Sequence, residues 1–202
     1  MHNTGDAVAE LPPARLWLVR HGSTEWSRSG RHTGRTDIDL DATGREQAKA
    51  LGERLAEQDF AVVLTSPLKR ARQTCELAGL GDVAEVDEQL AEWDYGDYEG
   101  RTTAEIRTTR PGWQLFRDGC PHGEVAAAVG ARADRVLERL ARDPRCRGAE
   151  AVCFSHGHLL RVLAARWLGL PPEDAQLVAL DTASISILGY EHEWRVVERW
   201  NS

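Results

Sequence analysis

Several features that mark other protein classes are missing from this sequence of 202 residues. It has no apolar run near the roughly 20 residues that a membrane-spanning helix needs, and its N-terminal residues lack the basic start and apolar stretch of a secretory signal. Lys and Arg number 25 against 32 Asp and Glu, a formal net charge of −7, and no basic run occurs. We therefore expect a cytoplasmic protein that binds neither membranes nor nucleic acid.

Cysteine is also scarce, at four residues: Cys75, Cys120, Cys146 and Cys153. No two of them form a C-x-x-C pair, which disfavours a zinc ribbon and a disulfide scaffold and favours buried, reduced thiols. Repeats and low-complexity segments are absent as well. We predict a loose tail over residues 1–14 and a single domain over residues 15–202, a length that can bury a sizeable core.

Strand and helix patterns alternate along the chain. Apolar runs and alternation predict strands at these ranges: 15–19, 61–66, 83–86, 151–155, 177–180, 184–190 and 194–200. Helical spacing predicts helices over 43–57, 124–143 and 158–168. Alternation with right-handed crossovers indicates an α/β fold, a three-layer sandwich with a mostly parallel central sheet and helices on both faces.

Ligands of such folds bind at the carboxyl ends of the strands. Three of these ends carry residues suited to an anion: Arg20-His21-Gly22, Ser66 followed by Lys69-Arg70, and Ser155-His156-Gly157. Helices predicted to start at Ser66-Pro67 and at Gly157 would add free backbone N–H groups. Adjacent strand residues point to opposite faces, so we expect a bend at Gly22 to free both side chains before it.

Two imidazoles and two guanidiniums around one anion have the chemistry of phosphoryl transfer. A neutral imidazole can attack phosphorus and form a covalent intermediate, and nearby Arg charge keeps that imidazole unprotonated. Guanidiniums match phosphoryl oxygens. The leaving alkoxide needs a proton, for which Glu92 is the candidate donor, while Asp94, Asp97 and Glu99 compete for the same role.

Each of these residues also has a plainer interpretation. His21 and His156 could be core histidines, and Arg70 could be a cation on a helix surface. His156 and His158 could form a metal pair, although no third ligand lies nearby in the sequence. Their joint position at strand ends beside glycine favours the phosphate site.

Four segments carry a resemblance to a known family: LVRHGSTEW, TSPLKRARQT, LAEWDYGDYEG and FSHGH. In this order they resemble the motifs of the histidine phosphatase superfamily, which has the phosphoglycerate mutase-like fold. The resemblance runs from about Arg15 to the C-terminal strands. It implies a phosphate ester as the small-molecule substrate, no metal or other cofactor, and a homodimer as a common assembly.

The resemblance also assigns roles by position. His21 corresponds to the nucleophile that becomes phosphohistidine, and Glu92 to the proton donor. Three residues match the phosphate pocket: Arg20, Arg70 and His156. Residues expected near the substrate are Ser27, Thr33, Gly34, Tyr95, Arg117 and Gly157. Arg117, with Glu124, is placed at the pocket entrance, where it would hold a second phosphate; a surface arginine is the equal alternative.

The family contains both phosphatases and mutases. Cofactor-dependent mutases carry a longer, basic insertion between the acid loop and the second histidine, whereas residues 100–150 are compact here and Thr103 stands where those mutases place a lysine. We therefore predict a metal-independent phosphatase, similar to small acid phosphatases and to a sedoheptulose-1,7-bisphosphatase group. A cofactor-dependent phosphoglycerate mutase is the first alternative, and a regulatory phosphoprotein phosphatase or docking protein is the second.

Overall fold

The computed structural model describes residues 13–202. Strands within this range are β1 Arg15–Arg20, β2 Phe60–Thr65, β3 Ala84–Val86, β4 Glu150–Ser155, β5 Ile185–Glu191 and β6 Trp194–Arg199. Its α-helices are α1 Glu25–Ser29, α2 Ala42–Leu55, α3 Lys69–Leu77, α4 Thr103–Thr109, α5 Leu115–Asp118, α6 Ala126–Arg142 and α7 Gly157–Trp167. Strand and helix alternate through most of the chain, as the sequence predicts.

The six strands belong to one sheet in the order β3-β2-β4-β1-β5-β6. Pairing is parallel from β3 to β1 and antiparallel at β5 and β6. Arg20 at the end of β1 stands beside Ser155 at the end of β4, and Thr65 at the end of β2 stands beside Phe154. The residues that follow these three strands therefore emerge at one edge of the sheet.

Side-chain alternation on the central strands divides the core into two layers. Leu16 and Leu18 of β1 pack in the cluster that includes the buried faces of α6 and α7. Trp17 and Val19 point the other way, into the cluster that includes Leu51 of α2 and residues of α3. The three-layer α/β sandwich with a mostly parallel sheet is thus confirmed.

Local sequence signals explain several helix boundaries. Thr102 and Glu105 form a capping box at the start of α4, in which each side chain accepts a hydrogen bond from the other's backbone N–H. Asp41 caps α2 by accepting a hydrogen bond from Gly44 N. α1 and α5 lie in segments where no helix was predicted, because each is too short to show periodicity.

Two secondary-structure predictions were wrong. α3 starts at Lys69 and not at Ser66-Pro67, because the hydroxyl of Ser66 is held by the ring of His156 and Leu68 occupies the cap position. Residues 177–180 form no strand, because a 3-10 helix at Pro172–Leu177 leads into an irregular segment.

The predicted tail falls mainly on residues 1–12, which lie outside the described residues. Its last two positions are paired: Pro13 forms a bridge with Arg147, and Ala14 N donates to Ala149 O over 2.8 Å. Pairing therefore begins two residues before the predicted boundary. Over residues 13–202, no helix is long and apolar enough to cross a membrane. The cytoplasmic location stays a prediction.

Candidate active site

A cavity of about 280 Å³ opens at the sheet edge where β1 and β4 end. Seven of the residues predicted to form the site line it: Arg20, His21, Ser27, Thr33, Glu92, Tyr95 and Gly157. Arg20 and His21 both line this cavity, because the regular strand ends at Arg20. An added Cβ at Gly22 would lie 2.4 Å from the carbonyl oxygen of Gly44, so only glycine allows the chain to pass α2 at this point.

His21 presents one nitrogen with a free lone pair. Its Nδ1 lies 2.7 Å from the carbonyl oxygen of Gly22. Because a carbonyl oxygen only accepts, Nδ1 carries the ring proton and Nε2 does not. Burial, with the charges of Arg70 and Arg20, holds the pKa of His21 well below its usual range. The ring is therefore neutral near pH 7, with Nε2 available to attack an electrophile.

Arg20 has an unused donor at the same place. Its Nη1 donates to the carbonyl of Leu180, while its buried Nε has no hydrogen-bond partner among residues 13–202. A Cβ added at Gly157 would lie 3.3 Å from the guanidinium carbon, so a side chain there would press on Arg20. A buried guanidinium with a free N–H is suited to bind an anion.

His156 and Arg70 lie directly behind His21 and not on the cavity surface. The rings of His21 and His156 are 5.1 Å apart between centroids, so the two imidazoles converge as predicted. Arg70 is fully buried. It donates to Nδ1 of His156 over 3.2 Å and to the carbonyls of Thr33, Gly34 and Thr36. The predicted pocket of two imidazoles and two guanidiniums is thus found in part. Arg70 binds these carbonyls and does not line the cavity.

Glu92 also lines the cavity, with its carboxyl group held by three backbone donors. It accepts from Trp93 N, and also from His158 N and Leu159 N in the first turn of α7. α7 has no side-chain cap of its own, so Glu92 fills that role from a distant loop.

The other three carboxylates of the loop point elsewhere. Asp94 pairs with Arg35, Asp97 pairs with His122, and Glu99 accepts from the backbone of residues 34 and 36. Among the carboxylates of this segment, which the structure describes in full, Glu92 alone lines the cavity. The geometry therefore favours Glu92 over its competitors.

A cluster of three rings also lines the cavity: Tyr95, His32 and His158. The hydroxyl of Tyr95 lies 2.6 Å from Nδ1 of His158, and the ring of His32 lies 4.8 Å from that of Tyr95. Burial raises the pKa of Tyr95 well above its usual range and lowers that of His158, so Tyr95 donates and a neutral His158 accepts. Burial also lowers the pKa of His32 to about 4.

Three residues predicted at or near the cavity lie outside its lining. Gly34 donates to Glu99 and packs against Trp93, where an added Cβ would lie 2.5 Å from the carbonyl oxygen. Arg117 is exposed and is bound to Asp118 and the carbonyl of Gly112, an arrangement that fits the alternative of a surface arginine. Glu124 pairs with Arg132 instead.

Seven cavity residues were not among the predicted site residues: Gly30, Arg31, His32, Thr103, His158, Arg161 and Leu180. A signal was present for two of them. His158 directly follows the glycine of the FSHGH segment, and Arg161 lies one helical turn after Gly157, on the face of α7 that starts at the strand end. No local sequence pattern indicates that Leu180 lines the cavity, because it belongs to the segment 177–180 that was predicted as a strand.

Side chains suited to a metal ion are not gathered here. Within residues 13–202, no three His, Cys, Asp or Glu side chains lie close enough to hold one. His158 contacts Tyr95 and does not form a metal pair with His156.

Comparison with protein families decides the class of this protein. The family described as the histidine phosphatase superfamily (branch 1) matches residues 16–202. The chain belongs to the histidine phosphatase superfamily. Its cavity, lined by His21 and Arg20, lies where the sequence motifs of that superfamily converge.

Several relatives of this histidine phosphatase are named phosphatases, whereas others, 30% identical over 194 residues, are named probable phosphoglycerate mutases. An acid phosphatase from Mycobacterium tuberculosis is 46% identical over 180 residues, covering 88% of this chain and 87% of the relative. A sedoheptulose 1,7-bisphosphatase from Saccharomyces cerevisiae is 39% identical, covering 77% and 68%. A solved structure from Mycobacterium tuberculosis superposes with a TM-score of 0.85 at 43% identity, covering 93% of this chain and 96% of the other. This histidine phosphatase is therefore a phosphatase enzyme, as predicted.

Proposed function

We propose that this histidine phosphatase hydrolyses small phosphate monoesters through a phosphohistidine formed on His21. The observation that carries the proposal is the proton position on this ring: the bond from Nδ1 to the carbonyl of Gly22 leaves Nε2 as a nucleophile beside Arg20.

The first step transfers the phosphoryl group. Nε2 of His21 attacks phosphorus, a P–N bond forms, and the P–O bond to the leaving group breaks. Glu92 donates its proton to the departing alkoxide and becomes a carboxylate. The three backbone donors that hold Glu92 keep that group on the cavity wall as it takes up the charge.

Water completes the cycle in a second step. The carboxylate of Glu92 removes a proton from water, whose oxygen attacks phosphorus and breaks the P–N bond. Inorganic phosphate leaves, and both His21 and Glu92 regain their starting forms. Arg20 stabilises the negative charge of the transferring group, while Arg70 and His156 support it from behind.

The substrate we propose is a small phosphorylated metabolite, with sugar phosphates and bisphosphates as the leading class. The cavity of about 280 Å³ suits a small ligand, and its lining is polar. Ser27, Thr103 and Tyr95 can form hydrogen bonds with hydroxyl groups of a sugar. Arg31 and Arg161 add positive charge, which suits a substrate with more than one anionic group.

The decisive experiment traps the intermediate. The protein is mixed with a ³²P-labelled phosphate ester, quenched in alkali after milliseconds, and digested to locate the label. We expect an alkali-stable, acid-labile label on the peptide that contains His21, and none in His21→Asn. His122→Asn is the matched control, because His122 is exposed on a distant loop, and it should label normally. A labelled His21→Asn protein would refute the proposal.

The mutase alternative needs a separate assay. Rapid conversion of 3-phosphoglycerate to 2-phosphoglycerate with 2,3-bisphosphoglycerate present would favour a mutase over the proposed hydrolysis. Slow turnover of every small ester would instead favour the phosphoprotein or docking alternatives.

A further inference from the structure

We infer that Arg132 and Glu124 form a clamp that positions Glu92 for proton transfer, an inference that rests on the proposed function. Arg132 lies on α6 and uses all five of its N–H donors. Its Nη1 donates to the carbonyls of Gln89 and Ala91, each over 2.8 Å, and its Nη2 donates to the carbonyl of Glu92 over 3.3 Å.

The remaining donors of Arg132 bind Glu124. Nε and Nη2 donate to its two carboxylate oxygens over 2.8 and 2.9 Å, a bidentate pair in which both side chains are mostly buried. This geometry is specific to arginine, since the single ammonium of lysine cannot span a carboxylate and three carbonyls together.

Glu124 fixes the other side of the loop. Its carboxylate accepts from Asp94 N over 2.9 Å, its N–H donates to Asp94 O over 2.8 Å, and its carbonyl accepts from the indole of Trp93. The clamp therefore binds the chain before, at and after Glu92, in a segment whose backbone belongs to no strand.

The space behind Glu92 shows why a clamp is needed. A further cavity of about 230 Å³ is lined by Glu92, Glu124 and Arg132, and Glu92 is the single residue that it shares with the lining of the His21 cavity. Without the clamp, the loop can relax into this space and carry the carboxyl away from the leaving group. A displacement of about 1 Å in a catalytic group can cost roughly 100-fold in rate.

Arg135 provides a matched control on the same helix. It is exposed and donates to the side chain of Gln89, with no bond to a backbone carbonyl of the loop. Removal of Arg135 deletes a charge of the same sign near the same loop and leaves the clamp intact.

The test compares two substrates of the full-length enzyme. A phenyl phosphate has a poor leaving group that needs a proton, whereas 2,4-dinitrophenyl phosphate does not. We expect Arg132→Met to lower kcat/KM, which reports phosphoryl transfer to His21 and not the later hydrolysis, about 100-fold on the first substrate and less than about 5-fold on the second. Arg135→Met should match the wild type on both. Arg132→Lys should recover little of the loss.

A double mutant separates positioning from a general structural role. Because the clamp acts through Glu92, its loss should have little effect once Glu92 has been replaced. In the Glu92→Gln background, Arg132→Met should lower kcat/KM on phenyl phosphate by less than about 3-fold. Equal losses in both backgrounds, or equal losses on both substrates, would overturn the inference. Should Arg132→Met fail to fold, Glu124→Gln carries the same test, with the same expected preference for the activated ester.

A different result would refute the proposed function. If Glu92→Gln itself loses kcat/KM equally on both substrates, Glu92 is not the acid and the proposed mechanism falls. If Glu92→Gln discriminates but Arg132→Met and Glu124→Gln do not, the mechanism stands and the clamp alone is refuted.

Discussion

Arg70 donates from Nε to Nδ1 of His156, and this bond fixes the proton on the far side of the imidazole. Because a guanidinium only donates, Nδ1 must be the acceptor, so Nε2 carries the hydrogen and donates it to the hydroxyl of Ser66 over 2.7 Å. Burial and the charge of Arg70 lower the pKa of His156 well below its usual range, which keeps this ring neutral. One buried chain of bonds thus joins α3, β4 and the end of β2.

Replacement of Arg70 by lysine should disable the site while retaining its charge. Lysine has one ammonium and cannot bond His156 and three loop carbonyls together. We expect kcat/KM to fall about 100-fold or more in Arg70→Lys, measured by phosphate release from an aryl phosphate. The exposed neighbour on the same helix provides the control, and Arg72→Lys should keep full activity. An active Arg70→Lys enzyme would refute a role for the guanidinium geometry.

Ser66→Ala should destabilise the protein, because it leaves the Nε2 hydrogen of His156 buried without an acceptor. We expect the free energy of unfolding in urea to fall by about 1–3 kcal/mol. Ser29→Ala removes an exposed hydroxyl at the end of α1 and should change stability by less than about 0.5 kcal/mol. Equal stability of the two variants would contradict the proton assignment.

Acid should destabilise the fold through its buried histidines: His21, His32, His156 and His158. Each has a folded pKa below the unfolded value, so the unfolded chain binds more protons and stability falls as the pH drops below about 6.5. His32 alone, with a folded pKa of about 4, accounts for about 1–2 kcal/mol between pH 7 and pH 5.

Urea titrations at pH 7 and pH 5 measure this effect. His32→Asn removes the titrating ring while it keeps a polar group near Thr103, so its loss of stability over the same pH interval should be smaller than that of the wild type. Identical pH dependence in the two proteins would show that His32 is protonated alike in the folded and unfolded states.

Chelation of metal ions should leave activity unchanged. In the proposed mechanism, the charges that stabilise a transferring phosphoryl group come from fixed guanidiniums, chiefly Arg20 with Arg70 behind it. We expect full phosphatase activity after dialysis against EDTA. Activity lost on dialysis and restored by a divalent cation would refute this prediction and favour a metal-dependent hydrolase.

The fold was predictable because its signals are local. The continuous buried runs of β1 and β4 reflect strands covered on both faces, and the capping box at Thr102 marks α4. The segments 67–68 and 177–180 were mispredicted because contacts with distant residues determine their conformation. Ser66 binds His156, which follows the neighbouring strand, and the carbonyl of Leu180 accepts a hydrogen bond from Arg20.

By itself the sequence determined the α/β class, the strand ends that carry His21 and His156, and the order of the phosphatase motifs. Tertiary structure alone decided which groups share the cavity, since Glu92 lies there and Arg117 does not. It also decided which ring nitrogens carry protons and that Arg132 binds the loop of Glu92. The physical reason is range: strand and helix patterns arise between near neighbours, whereas proton positions and cavity walls depend on contacts between residues far apart in the chain.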